Sequence, residues 1–320
     1  MTHGFSRFDP ARVPSPCHVL DLARLEENLK RLKRVADESG VEVLLALKAF
    51  SCFAVGDLIS RYLAGTAASG LYEARLGKHR FGGQVHAYVP GLKEQEIDEL
   101  LQYADHVIVN SLGQWQRFRG KLQESADVSF GLRINPGHTE VANPLYDPCS
   151  PWSRLGVPAG DVRPEDLDGL SGIHVHALCD HSFDAFDRML GAVESHCGHL
   201  FGAVDWINLG GGLLITEEDF PLDRFIARLV DFRSRTGLKV YLEPGTAVAL
   251  HAGALVSEVL DRASNIGELA IMDASATCHM PDVIEAPFTP DVVGARTLPR
   301  DTKARAGAPD VIRLGGPTCL

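Results

Sequence analysis

A lysine that closes an apolar run, three consecutive glycines, a Glu-Pro-Gly-Thr tetrad and a His-x-His pair are the residues whose types and spacing could do chemistry. Lys48 follows Val-Leu-Leu-Ala-Leu at 43–47. At a strand end a lysine is ordinarily a solvated charge or half of an ion pair. Here Leu45, Leu47 and Phe50 flank it, and an amine set against apolar walls loses solvation of its ammonium form, which favours the nucleophilic amine that an imine with an aldehyde requires. Gly210, Gly211 and Gly212 follow a run at 206–209, where backbone amides can approach an anion with no Cβ in the way. The next run ends in Glu243-Pro244-Gly245-Thr246, which adds a carboxylate, a close-approach glycine and a hydroxyl. Neither Gly-Lys-Ser/Thr nor Gly-x-Gly-x-x-Gly occurs at the triplet, so it is neither a Walker loop nor a dinucleotide fingerprint. On the residues alone, the glycines equally make a turn and Glu243 an ordinary capped strand end.

His174 and His176 lie in Gly-Ile-His-Val-His-Ala-Leu-Cys-Asp at 172–180, which reads as a strand ending at His176 with both imidazoles on one face. A metal set of His174, His176 and Cys179 is the alternative. Same-face strand residues stand about 7 Å apart and no fourth ligand is evident, so stacking or hydrogen bonding ranks first. His196-Cys197-Gly198-His199 falls at a helix end, away from the strand tips.

These residues need a scaffold. Strand-like runs at 43–47, 65–69, 85–90, 106–110, 128–135, 172–178, 206–212 and 239–245 alternate with amphipathic stretches. The stretch 23–36 shows the pattern, with Leu25, Leu29, Leu32 and Val35 at helical spacing, Asp21 as N-cap and Gly40 as stop. Eight such alternations imply an α/β fold, a (β/α)8 TIM-type barrel whose reactive groups gather at the carboxyl ends of the strands. A short strand at 17–20 precedes it. After 245, runs at 254–260 and 269–272 look like strands without long helices between them, and 290–309 reads as loops. The expected organisation is a barrel over 22–245 and a smaller β domain from 1–21 plus 246–320. The abrupt end at Gly316-Pro317-Thr318-Cys319-Leu320 reads as a truncated chain.

A chain of 320 residues, 45% hydrophobic, can bury such a barrel and a second domain. The net charge of −11 and the absence of a basic run argue against nucleic acid or an anionic membrane as partner. No run reaches the about 18 apolar residues of a membrane span, and the start lacks the apolar core of a signal peptide. Seven cysteines without Cys-x-x-Cys fit reduced thiols, and the cytoplasm is the expected location.

Ala46-Leu47-Lys48, Leu132-Arg133-Ile134, His174-x-His176, Gly210-Gly211-Gly212, Glu243-Pro244-Gly245 and Gly316-Pro317-Thr318-Cys319 together resemble the alanine racemase-like (fold type III) pyridoxal phosphate decarboxylases. Within that group, the segments 135–144, 150–156 and 276–282 resemble the carboxynorspermidine/carboxyspermidine decarboxylases. The resemblance runs through essentially the whole chain in order.

It implies that Lys48 holds pyridoxal 5'-phosphate and that His176 stacks on its ring. Glu243 pairs with the pyridine nitrogen and keeps the ring a strong electron sink. Gly210, Gly211, Gly212, Gly245 and Thr246 bind the phosphate, and Arg133 lies near the cofactor hydroxyl. Cys319 serves the partner's site in a homodimer as proton donor, and His279 and Asp282 face the cationic end of a polyamine-type amino-acid substrate. The product would be norspermidine or spermidine. A carboxylate at the nitrogen favours decarboxylation over the racemisation done with an arginine there. Two departures stand out. Thr246 occupies the place where ornithine decarboxylases carry an arginine on the phosphate, and the chain stops before an acidic residue and a tyrosine found later in relatives. The alternatives are a diaminopimelate decarboxylase, for which 135–143 offers no arginine to grip a distal carboxylate, and a non-catalytic cofactor-binding regulator.

Overall fold

The computed structural model describes residues 5–125, 127–141, 147–265, 267–285, 287–298 and 311–318. In chain order the strands are β1 (Cys17–Leu20), β2 (Glu42–Ala46), β3 (Gly65–Ala68), β4 (Gln84–Tyr88), β5 (His106–Val109), β6 (Ser129–Asn135), β7 (Val157–Pro158), β8 (Gly172–His174), β9 (Trp206–Asn208), β10 (Lys239–Leu242), β11 (Gly253–Val256), β12 (Val259–Ser264), β13 (Glu268–Met272) and β14 (Ile312–Gly315). The helices are α1 (Leu22–Ser39), α2 (Gly56–Ile59), α3 (Leu71–Leu76), α4 (Glu94–Tyr103), α5 (Leu112–Leu122), α6 (Phe183–Cys197), α7 (Leu222–Thr236), α8 (Thr246–Ala249), α9 (Ala276–His279) and α10 (Asp282–Glu285). The chain divides into two compact units, Glu26–Leu250 and Met1–Leu25 with His251–Leu320.

In the first unit the parallel strands run β5-β4-β3-β2-β10-β9-β8-β6, and β5 pairs with β6 to close the ring. This is the (β/α)8 barrel that the eight alternations imply. Its interior is filled by unequal side chains. Trp206 projects inward, 4% exposed, and glycines on β8 and β6 make room for its ring. A methyl at Gly172 would meet Trp206 Cδ2 at 2.0 Å, and one at Gly131 would meet Cη2 at 2.4 Å. Leu44, Ile108 and Tyr241 complete that layer, each contributing about 1.5–3 kcal/mol of apolar burial.

Outside the strands, α1 buries Leu29, Leu32 and Val35 completely, as their spacing of three or four residues requires. Asp21 Oδ1 accepts from the Ala23 and Arg24 amides at 3.0 and 3.1 Å. At the other end Gly40 takes φ +69°, the left-handed position that stops a helix cheaply only with glycine.

Several barrel strands end sooner than their apolar runs. β8 stops at His174, so His176 lies two residues beyond the strand rather than at its tip. The cause is convergence. Past the strand ends the chains turn toward one another, with the Val175 amide donating to Asn208 O at 2.7 Å and the Glu243 amide to Gly210 O at 2.7 Å.

In the second unit β1 pairs antiparallel with β11, and β13 lies between antiparallel β12 and parallel β14. The single strand expected over 254–260 is two. Ser257 Oγ and the Glu258 amide both donate to Asp273 Oδ1, at 2.7 and 2.9 Å, and this carboxylate holds the chain out of strand pairing between β11 and β12. Of the loop expected over 290–309, residues 290–298 carry neither helix nor strand, and the remainder lies outside the described residues. Among the described residues no helix is long and apolar enough to cross a membrane.

Candidate active site

Lys48 sits in a turn just past β2, where the Ala49 and Phe50 amides donate to Ala46 O at 3.1 and 3.3 Å. The side chain is exposed, while Leu45 and Leu47 point into the core and Phe50 is half-buried. The apolar walls expected around the amine are therefore absent. The Lys48 turn instead meets the turn after β10. The Ala46 amide donates to Pro244 O at 3.0 Å, and a methyl on Gly245 would meet Ala49 Cβ at 2.4 Å. Glycine at 245 thus lets the Glu-Pro-Gly-Thr turn press against the Lys48 turn. The Lys48 ammonium also acts electrostatically on His174 and His176.

Glu243 is the centre of the site. Its side chain is 14% exposed. Asn208 Nδ2 donates to Oε1 at 2.7 Å and His174 Nε2 approaches Oε2 at 3.3 Å. Burial alone would raise this acid, yet the histidines and the Asn208 amide hold it well below the ordinary carboxylate range, so it is ionised at neutral pH. Burial lowers His174, against the pull of Glu243, and the neutral ring donates its Nε2 hydrogen.

Burial, then Lys48 and Arg133, push His176 well below the usual imidazole value. Its Nδ1 accepts from the Gly211 amide at 3.2 Å, which leaves the hydrogen on Nε2. Arg133, 3% exposed, donates from Nη2 to His176 O at 3.0 Å and lies over the Tyr88 ring at 4.7 Å. Among the described residues it is a buried cation with one hydrogen bond on five donors.

The glycine triplet does something other than present three amides. The Gly210 amide is taken by Asn208 Oδ1 at 2.8 Å and the Gly211 amide by His176. A methyl at Gly211 would meet Glu243 O at 2.0 Å, and one at Gly212 would meet Leu178 O at 2.1 Å. The missing Cβ atoms let the ends of β8, β9 and β10 converge. Among the described residues the amides of Gly212 and Gly245 have no acceptor, so these remain for an anion. Thr246 is exposed at the start of α8.

The remaining expectations concern a metal set, the histidines of α6 and residues of the second unit. His174 and His176 turn to Glu243 and Gly211, and the Cys179 amide donates to His181 Nδ1 at 3.1 Å. Among the described residues no three His, Cys, Asp or Glu side chains are grouped to hold a metal. His196 donates to Pro136 O at 2.6 Å and His199 to Val162 O at 2.9 Å, both tying loops to the barrel exterior. His279 and Asp282 belong to the second unit, where the Ser275 amide donates to His279 Nδ1 at 3.1 Å and Asp282 opens α10. Cys319 lies outside the described residues, as does part of the segment 135–144.

Asn208, Tyr88 and Asn110 were not singled out in the sequence. Tyr88 donates to Asn110 Oδ1 at 2.6 Å and stacks on His174 with ring centroids 5.4 Å apart. Asn110 also takes the Gly156 amide at 2.8 Å, which seats the segment 150–156 on Arg133. A signal for Asn208 was present. It is a polar residue at the last position of an inward-facing strand, two places after Trp206, and alternation sends both into the barrel.

No protein-family profile matches the chain. Among curated proteins it is 38% identical over 287 residues to the carboxynorspermidine/carboxyspermidine decarboxylase of Campylobacter jejuni, covering 90% of this chain and 74% of the relative. It is 39% identical over 310 residues to the carboxyaminopropylagmatine decarboxylase of a Synechocystis strain, covering 96% and 78%. The diaminopimelate decarboxylase of Pseudomonas aeruginosa is more distant, at 25% identity over 96% of this chain and 77% of the relative. The crystal structure of the Campylobacter jejuni carboxynorspermidine decarboxylase complexed with norspermidine superposes with a TM-score of 0.86 at 36% identity, over 96% of this chain and 82% of that one.

Proposed function

The chain belongs to the carboxynorspermidine/carboxyspermidine decarboxylase family, and from that membership we propose that it binds pyridoxal 5'-phosphate in the barrel mouth and decarboxylates carboxynorspermidine or carboxyspermidine. The observation that carries the reading is Glu243, an ionised carboxylate held in the barrel by Asn208 and His174. A buried anion with lone pairs to spare fits a protonated pyridine nitrogen. Arg133 fits the cofactor's phenolic oxygen, being a buried cation with donors unused. The Gly212 and Gly245 amides fit a phosphate, and Lys48 supplies the amine that holds the aldehyde. When bound, the cofactor supplies a ring that accepts the electron pair released as carbon dioxide leaves.

The protein's own groups do the positioning. Glu243 holds the proton at the ring nitrogen, and a charge-assisted bond of this kind is stronger than a neutral one. His176, neutral and oriented by the Gly211 amide, offers a ring face without adding positive charge. Arg133 fixes the His176 backbone and brings its charge to the site. His279 and Asp282 recognise the cationic tail of the substrate, and Cys319 from a second copy returns the proton in a homodimer, by resemblance to the family. Reduced thiols suit the same cytoplasmic reading.

A second substrate is favoured by one comparison. The Synechocystis relative is named for carboxyaminopropylagmatine at 39% identity, so the tail pocket would then take a guanidinium in place of an amine. Purified protein with added pyridoxal phosphate should show a visible absorption band that Lys48→Ala abolishes, and it should release carbon dioxide from the carboxypolyamines faster than from diaminopimelate. A wild type that stays colourless sinks the cofactor reading. Side-by-side turnover of carboxynorspermidine, carboxyspermidine and carboxyaminopropylagmatine ranks the substrates, and sedimentation tests the dimer.

A further inference from the structure

The geometry points to Asn208 as the positioning residue that aims Glu243 and locks it to the glycine turn. This rests on the reading that Glu243 serves the cofactor nitrogen. Asn208 ends β9 and exposes no surface. Its Oδ1 accepts the Gly210 amide at 2.8 Å and its Nδ2 donates to Glu243 Oε1 at 2.7 Å. A primary amide has one accepting and one donating end, so the Gly210 contact fixes which end meets Glu243. Turned over, the carbonyl would face a carboxylate and the amino group an N–H, losing both bonds.

Other groups face Glu243 as well, and the two histidines act on its ionisation more strongly than Asn208 does. His174 approaches from β8 at 3.3 Å, His176 beyond β8 is a neutral ring, and Arg133 from β6 acts through charge. The Asn208 bond is shorter and points at the opposite oxygen from His174. Because the same amide holds Gly210, the position of the anion-binding turn and that of the carboxylate are set by one side chain. Cofactor atoms several bonds apart would thus meet their partners at a fixed spacing, with little left to reorganise on binding.

An aspartate of the same shape would separate this role from a merely structural one. It keeps an acceptor for Gly210 but sets a second anion against Glu243, and two carboxylates sharing a site raise the affinity of one for a proton. Alanine removes both bonds without adding charge. Carbon-13 labelling of glutamate side chains in the cofactor-free protein, with Glu243→Gln to assign the signal, follows the Glu243 titration directly. We expect Asn208→Asp to raise its midpoint by at least about one pH unit and more than Asn208→Ala does, with pyridoxal phosphate affinity falling in the same order, by about tenfold for the aspartate. The reverse order, with aspartate near wild type and alanine worse, means that Asn208 only shapes the turn and overturns the inference. If Asn208→Asp does not fold, adding Glu243→Gln decides: recovery of folding supports the charge contact, and failure of both overturns it. The titration needs no cofactor, so a wild type that never develops the visible band would sink the cofactor reading while leaving this result standing.

Discussion

His86 and His106 stack inside the barrel with ring centroids 3.8 Å apart and planes 21° from parallel. Tyr241 and Trp206 meet them edge-on, and neither Nδ1 has a hydrogen-bond partner among the described residues. Burial, then the neighbouring His106, drives His86 well below the ordinary imidazole value, and burial with Lys239 brings His106 to about 4, against the opposing pull of Asp105 and Glu42.

This pair makes acid a threat to the barrel. In the unfolded chain an imidazole takes a proton near pH 6.5, whereas in the folded barrel His106 does so near 4 and burial holds His86 well below its ordinary value. The unfolded state binds more protons across that window, so stability falls as pH drops from about 6.5 toward 4. His106→Gln should flatten the slope, read as thermal midpoint against pH. A variant that parallels wild type between pH 6.5 and 4.5 would show that the pair does not titrate on unfolding.

Gly211 is expected to tolerate no side chain. A methyl there falls 2.0 Å from Glu243 O, a backbone atom that can move only by breaking the convergence of β9 and β10. Gly211→Ala should cost about 3 kcal/mol or more, at the upper end for overpacking. Gly120→Ala in α5 meets nothing within 4 Å and should stabilise by about 0.5–1 kcal/mol. Denaturant unfolding of the two variants checks both, and a mild Gly211→Ala would mean that the turn is looser than its contacts.

Arg133→Met should weaken pyridoxal phosphate binding by at least about tenfold, the scale of losing a hydrogen bond from a charged donor. The thioether keeps much of the volume over Tyr88 but leaves His176 O without its donor at 3.0 Å. Arg133→Lys should not rescue, since an ammonium cannot span the carbonyl and a cofactor oxygen with a planar fork. Equilibrium titration of cofactor into each variant is the measurement, and unchanged affinity would remove Arg133 from the site.

Local chemistry made the barrel legible in the sequence. Eight apolar runs separated by helical periodicity leave few other solutions, and the ring closes through β5 and β6. The chemistry at the strand ends was legible as a list of residue types, not as an arrangement. Lys48 looked apolar because Leu45 and Leu47 adjoin it, but alternation buries Leu45 on the face of β2 opposite the barrel layer of Leu44, Leu47 is buried too, and the turn carries Lys48 out. The glycines looked like anion binders, yet two of their three amides are used internally. Side-chain partners more than thirty residues distant, such as Asn208 and Glu243, leave no local pattern. The break at Ser257 was hidden in a similar way, because its cause is Asp273, 16 residues on and just past β13.

Arg188 ties the loop after β6 to α6, and its loss should be felt in substrate binding more than in chemistry. Its Nε and Nη2 grip both oxygens of Glu140 at 2.9 and 2.6 Å, and His138 Nε2 adds a contact at 2.8 Å. The Arg188 bonds foremost, with help from His138 and against burial, bring the Glu140 carboxyl down to about 2. A depressed carboxylate contributes stability above its unfolded value, and that contribution fades as pH falls toward the folded one. Because Arg188 is 58% exposed, the pair is worth only about 1 kcal/mol after solvent screening. The loop matters more than the energy. Glu140 O accepts from His181 Nε2 at 2.9 Å, and the His181 amide donates to Gly212 O at 2.9 Å, so the clasp reaches the glycine turn. Arg188→Ala should therefore raise KM severalfold while kcat changes less than twofold, with the thermal midpoint only slightly lower. A fall confined to kcat would place the clasp in the chemical step instead.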